Sequence, residues 1–203
     1  MLENYELNTM KRRLICLLSL ISFIGSAIAQ PNSIFTHYSS EDGLSENSIM
    51  SMAQDQNGFL WFATWDGVDK FDGYDFKVYK TRKGNDIGLS NNRIDLVKVD
   101  KYNFVWLLTY DKRVFRLDNK KERFQKITCE TENGEMDCMD IRTLPGGSVW
   151  ALSEGYGAIR AITDKKNYTI KWKAYAINQK DGYKSRVRDI IEDIKGNEWL
   201  ITD

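Results

Sequence analysis

The chain has 203 residues, and its 29 basic and 29 acidic side chains cancel. Zero net charge gives no long-range pull toward nucleic acid or an anionic membrane, so neither is a default partner. Hydrophobic residues at 42% and charged residues at 29% are those of a folded protein. One histidine, His37, leaves none to spare for a His-rich metal site or a second-site Ser-His-Asp triad.

In chain order, the first predicted element is an export signal. Lys11, Arg12 and Arg13 form a basic cluster, Leu14–Ile24 an apolar run, and Ala27 and Ala29 an A-x-A site before Gln30. This pattern is a secretory signal peptide over residues 1–29, with Met10 as an alternative start. An eleven-residue, mostly apolar run is too short to cross ~30 Å of hydrocarbon as an anchor. Removing the segment takes three basic and two acidic residues and leaves 26 against 27. Cys16 goes with it. Cys129 and Cys138 then stay in an oxidising compartment, either as a disulfide closing a loop around Asn133-Gly134 or as two separate thiols. Without CxxC spacing or histidine partners they do not make a metal site, and no metal or cofactor is expected.

Residues 34–38, Ile-Phe-Thr-His-Tyr, share the aromatic pattern of an outer strand and are expected to be a closing strand, linked through residue 47. Four short strands follow at 48–54, 59–64, 68–71 and 75–79, separated by Asp55–Gly58, Trp65–Gly67 and the hairpin cue Asp72-Gly73. The chain then repeats itself. Trp61, Trp106, Trp150 and Trp199 are spaced 45, 44 and 49 residues apart. Each is followed three positions later by a hydroxyl, at Thr64, Thr109, Ser153 and Thr202. Each is preceded by a turn, at residues 55–58, 100–103, 144–147 and 193–196, and by an extended segment, at 49–53, 94–99, 139–144 and 187–191. Gly43-Leu-Ser-Glu-Asn47 and Gly88-Leu-Ser-Asn-Asn92 lead into the first two repeats.

Four short antiparallel strands in about 45 residues is the period of a propeller blade. The predicted fold is therefore all-β, a partial β-propeller of about three and a half four-stranded blades behind the signal peptide. Blade boundaries fall at 48–92, 93–136 and 137–182, with the first half of a fourth at 183–203. A large ring at one phase of every repeat is what stacked sheets need, so the four tryptophans are expected in the core.

The motifs Gly-Leu-Ser-x-Asn-x-Ile (43–49), Asp-x-x-Gly-Phe-Leu-Trp-Phe-Ala-Thr-x-Asp-Gly-Val (55–68) and Phe-Asp-Gly (71–73) resemble the two-component regulator propeller repeat. The resemblance runs over roughly residues 34–203 and loosens at Leu144-Pro-Gly-Gly147, which replaces Asp-x-x-Gly. It implies the N-terminal part of a periplasmic sensor in a Bacteroidetes-type hybrid two-component system that controls polysaccharide-utilisation genes. It further implies seven-bladed rings, a β-sandwich, a membrane helix, a histidine kinase and a DNA-binding regulator, in a dimeric parent anchored in the inner membrane. None of those later parts lies within these 203 residues, so the expectation is a piece of a longer sensor.

Chemistry is expected in loops, since blade strands mostly stack. The second-to-third strand loops carry Trp65-Asp66, Tyr110-Asp111 and Glu154-Gly-Tyr156, next to the links at 41–47, 83–92 and 178–185. An aromatic beside a carboxylate in three successive repeats suits an oligosaccharide, with rings against sugar faces and acids accepting from hydroxyls. Turn chemistry alone also explains Asp and Gly at these positions. Asp66, Asp69 and Asp72 read better as turn and strand acids than as a glycosidase pair, and the Asp-x-x-Gly turns lack calcium-loop ligand density. Rival readings are a secreted propeller enzyme, such as a glycosidase or lyase, and a protein-binding propeller.

Overall fold

Each tryptophan repeat folds into an antiparallel sheet. The first contains β1 (Ile49–Gln54), β2 (Leu60–Thr64), β3 (Gly67–Phe71) and β4 (Phe76–Tyr79), hydrogen-bonded in sequence order. The second contains β5 (Ile94–Val99), β6 (Val105–Thr109), β7 (Val114–Asp118) and β8 (Arg123–Ile127). After a two-stranded ribbon, β9 (Glu130–Thr131) and β10 (Gly134–Glu135), come β11 (Cys138–Thr143), β12 (Val149–Ser153), β13 (Gly157–Thr163) and β14 (Ile170–Tyr175). β15 (Val187–Glu192) and β16 (Glu198–Thr202) pair as the last sheet. This is a partial β-propeller, and the first-repeat strands fall within a residue of their predicted bounds.

The computed structural model describes residues 10–15, 35–128, 130–131, 134–153, 157–163, 170–175 and 186–203, in two units, Met1–His37 and Tyr38–Asp203. In the first unit residues 10–15 are helical and 35–37 are irregular. Among the described residues no helix is long and apolar enough to cross a membrane. The expected export signal beyond Ile15 lies outside the described residues.

One carboxylate organises the β1–β2-type turn in three of the four repeats. Asp55 accepts from the Asn57 and Phe59 backbone N–H groups at 2.9 and 3.1 Å and from the Trp61 indole at 3.0 Å. Asp100 does the same for Tyr102, Phe104 and Trp106, and Asp193 for Lys195, Asn197 and Trp199. The turn needs a left-handed residue at its fourth position, filled by Gly58 at φ 88° and by Asn103 at φ 65°. Asparagine is among the few side chains that tolerate this. In the third repeat Leu144 stands where the aspartate would be, and the backbone turn survives through the Gly147 N–H to Leu144 carbonyl bond of 2.9 Å.

The tryptophan face of each sheet packs on the back of the next. Trp61, Ala63 and Val68 meet Ile94, Val97, Leu107 and Phe115, and Trp106 and Leu108 meet Ile141, Ala151 and Ile159. Trp150 and Leu152 in turn meet Val187 and Ile190. A basic residue stands opposite each of these rings in the ladder: Lys70 pairs with Trp61, Arg116 with Trp106 and Arg160 with Trp150. Trp61, Trp106, Trp150, Thr64, Thr109 and Ser153 are all buried. Trp199 departs from the core expectation at 58% exposure, and Thr202 is exposed too, because among the described residues no sheet packs on that face of β15–β16.

The N-terminal segment also differs from the sequence reading. Residues 35–39 are not a strand: alternation alone makes no ladder, and among the described residues no strand pairs with them. Tyr38 instead lies edge-on to Phe71 and Phe76, at 5.0 and 5.8 Å between ring centres. Cys138 is buried with Sγ 3.9 Å from the Met136 carbonyl, while Cys129 lies outside the described residues.

Every inner strand also carries a bulge at its second residue. Ile49 pairs with Thr64 and Ser51 with Ala63, which leaves Met50 as the extra residue. Asp95, Met139 and Arg188 are extra in the same way. A bulge bends the strand and re-aims one side chain.

Candidate functional site

In an antiparallel meander the β2–β3 turns and the links into each inner strand share one end. The aspartate-capped turns take up the other. A cleft of about 240 Å³ opens among those structural turns, lined by Asp55, Trp61, Lys70, Tyr79 and Glu122. Of the residues singled out for binding, Trp65, Asp66, Tyr110 and Asp111 lie at the first end.

There, Trp65 and Tyr110 project from the β2–β3 and β6–β7 turns and are 49% and 51% exposed. The structure brings them to one group, the guanidinium of Arg93 in the link into β5. Its central carbon lies 4.6 Å from the Trp65 ring centre and 4.1 Å from that of Tyr110. A cation over a ring face within about 6 Å is attracted by the ring quadrupole, so two adjacent blades are tied by one side chain. Both rings are fixed from behind as well. The Trp65 indole N–H points at the sulfur of bulged Met50 at 2.9 Å, and the Tyr110 backbone N–H donates to the Arg93 carbonyl at 3.0 Å.

The acids beside the rings are engaged. Asp66 accepts from Lys80 Nζ at 2.5 Å, and Asp111 from the Ser90 hydroxyl at 2.8 Å. Against the burial that raises it, hydrogen bonds from Thr109 and Ser90 hold the Asp111 carboxyl below its ordinary range. Bulged Asp95 takes Lys112 Nζ at 3.1 Å and stands 3.8 Å from Arg93 Nε. The Arg93 guanidinium itself donates no hydrogen bond to any described residue. Glu154 and Tyr156 lie outside the described residues.

The neighbouring acids are structural. Asp69 is buried in β3, accepting from the Ser45 backbone at 3.1 Å and its hydroxyl at 2.5 Å. Burial pushes its carboxyl up to about 6, against the lowering effect of Ser45. The Ser45 hydroxyl also meets Thr64 Oγ1 at 2.8 Å, so the Gly-Leu-Ser link is pinned onto the blade. Asp72 caps the β3–β4 turn through the Tyr74 and Asp75 N–H groups, which hold its carboxyl low.

Sequence reasoning missed Arg93, the bulges and the Asp–Trp pairs. The last had a signal, an aspartate six residues before the tryptophan in three repeats of four. Arg93 had a weaker one: Arg186 stands at the same position, thirteen residues before its tryptophan, but Ser48 and Asp137 occupy it in the other two repeats.

Residues 43–66 match the family model described as two component regulator propeller. Over 63 residues the chain is 41% identical to histidine kinase P4 of Formosa agariphila, a stretch that is 30% of this chain and 5% of that protein. The fold is similar to the extracellular domains of two hybrid two-component systems of B. thetaiotaomicron. One superposes with TM-score 0.58 and 23% identity over 85% of this chain and 25% of that one. The other gives 0.55 and 21% over 82% and 29%. The chain thus spans a small part of each.

Proposed function

We propose that this chain, which carries two-component regulator propeller repeats, is part of the sensing propeller of a hybrid two-component system and binds an oligosaccharide at the Trp65–Tyr110 rim. One observation carries the reading: two half-exposed aromatic rings from adjacent blades are held rigid across a single arginine. Large exposed rings are costly to leave wet, and rigid ones bind without further loss of rotamer freedom. A pyranose offers an apolar C–H face to such rings and hydroxyls to the carboxylates of Asp66 and Asp111, which keep lone pairs beyond their present bonds.

The extracellular domains among the similar structures support a periplasmic setting, with export through the segment ending at Ala29. Occupancy of the rim would reach a kinase through the rest of a dimeric, membrane-anchored parent and set transcription of polysaccharide-utilisation genes. The test is titration of the protein with a panel of neutral and charged oligosaccharides, followed by calorimetry. Binding by at least one, lost on Trp65→Ala and on Tyr110→Ala while the fold is kept, supports the reading. Binding that survives both substitutions, or no binding to any saccharide, refutes it.

A further inference from the structure

The rim holds one charge that its neighbours do not spend. Its acids are engaged: Asp66 by Lys80, Asp95 by Lys112, and Asp111 by the Ser90 hydroxyl with the Arg113 charge nearby. Arg113, further round, is taken by Asp137 at 2.6 Å and Glu135 at 3.5 Å. Arg93 is different. Its central carbon lies over two rings, its only ion-pair partner among the described residues is Asp95 at 3.8 Å, and that acid is already held more closely by Lys112. Ring contact orients a guanidinium but does not neutralise it or use its N–H groups. The terminal nitrogens of the fork therefore donate to no described residue, and the side chain remains 36% exposed. A planar fork of this kind matches the two oxygens of a carboxylate or a sulfate ester, which it binds through parallel charge-assisted bonds.

We infer that Arg93 makes the rim selective for an acidic saccharide, one bearing a uronate carboxylate or a sulfate ester, with the sugar ring on Trp65 or Tyr110 and the oxyanion on the guanidinium edge. The inference rests on the binding site proposed above and adds the class of sugar. Stacking between blades makes this arginine a preorganised donor, so little side-chain entropy remains to be lost when the anion arrives. A lysine at the same place would keep the charge and lose the fork.

The experiment uses the whole chain and four probes: trigalacturonic acid, a sulfated carrageenan tetrasaccharide, maltotriose and cellotriose. Calorimetry gives the affinities and thermal melts give the stability of the wild type, Arg93→Lys and Arg93→Ala. An acidic probe should bind at least about tenfold more tightly than either neutral one, and Arg93→Lys should remove about tenfold of that preference. Which acidic probe wins tells carboxylate from sulfate. Arg93→Lys should melt close to the wild type, which separates loss of the fork from loss of the blade tie. Equal binding of neutral and acidic probes, or an acidic preference unchanged in Arg93→Lys, overturns the inference and leaves the oligosaccharide site standing. Failure of all four probes together with the wider panel overturns both.

Discussion

Truncating Asp55 to alanine tests whether the turn carboxylate, and not the ring alone, fixes each blade. The substitution removes three acceptor contacts, to the Asn57 and Phe59 N–H groups and to the Trp61 indole. Trp61 is 2% exposed, so its N–H is the costly one, at about 1–3 kcal/mol when left without an acceptor. The two backbone groups are half-buried, and losing their bonds adds about 0.5–1.5 kcal/mol each. The cleft beside Asp55 and Trp61 lets water recover part of this. The net expectation is about 2–3 kcal/mol, which for a chain of this size lowers the melting temperature by about 4–12 °C. Asp55→Asn keeps one acceptor oxygen and should fall about halfway. The equivalent Asp193→Ala, at an exposed tryptophan, should shift the melt much less. Thermal unfolding followed by near-ultraviolet circular dichroism, which sees the tryptophans directly, reads all three. A change of less than ~1 °C for Asp55→Ala, or equal losses for Asp55→Ala and Asp193→Ala, refutes the reasoning.

Trp106→Ala should cost about 3–5 kcal/mol by opening a cavity between the second and third sheets, whereas Trp65→Ala, which loses a half-exposed ring and its contact with Arg93, should cost about 0.5–1 kcal/mol; denaturant titration compares them. Asp69 binds its proton more tightly folded than unfolded, since burial lifts it from 3.8 to about 6. Its contribution to stability is therefore full below about pH 4 and lost as pH rises through about 6, and Asp69→Asn should remove that slope from melts taken between pH 4 and 7. Hydrogen exchange should be slowest in β6, where all five residues are buried, and fast in β16, where none is. Comparable protection of the two strands in mass-spectrometric exchange would contradict the packing described for Trp199.

The blade period and the first-repeat strands were legible because a tryptophan recurs every 44 to 49 residues with a turn before it and a hydroxyl after it. The inner strands were harder to read. Ile94 and Val97, Cys138 and Ile141, and Val187 and Ile190 are buried pairs three residues apart, which strict two-residue alternation puts on opposite faces. The bulge between them restores a common face, and nothing in the local composition announces it. Residues 35–38 show the reverse case, since a strand-like pattern forms no strand without a ladder to join. At the rim, Trp65 and Tyr110 were visible as aromatics in loops. Their convergence on Arg93 depends on how two blades stack, which a single repeat does not encode.

The bulge also separates what holds a blade from what it displays. Met50, Asp95, Met139 and Arg188 occupy one position in four successive blades, as a thioether, an acid, another thioether and a base. Each sits outside the cross-strand pairing, so its identity is set neither by the ladder nor by the sheet behind it. It is nevertheless carried on a strand, with a strand's stiffness and a defined direction. Loop residues usually gain freedom of sequence by giving up that precision. Here one side chain per blade can be exchanged at the Trp65–Tyr110 end while the skeleton beneath it and the tryptophan stack stay as they are.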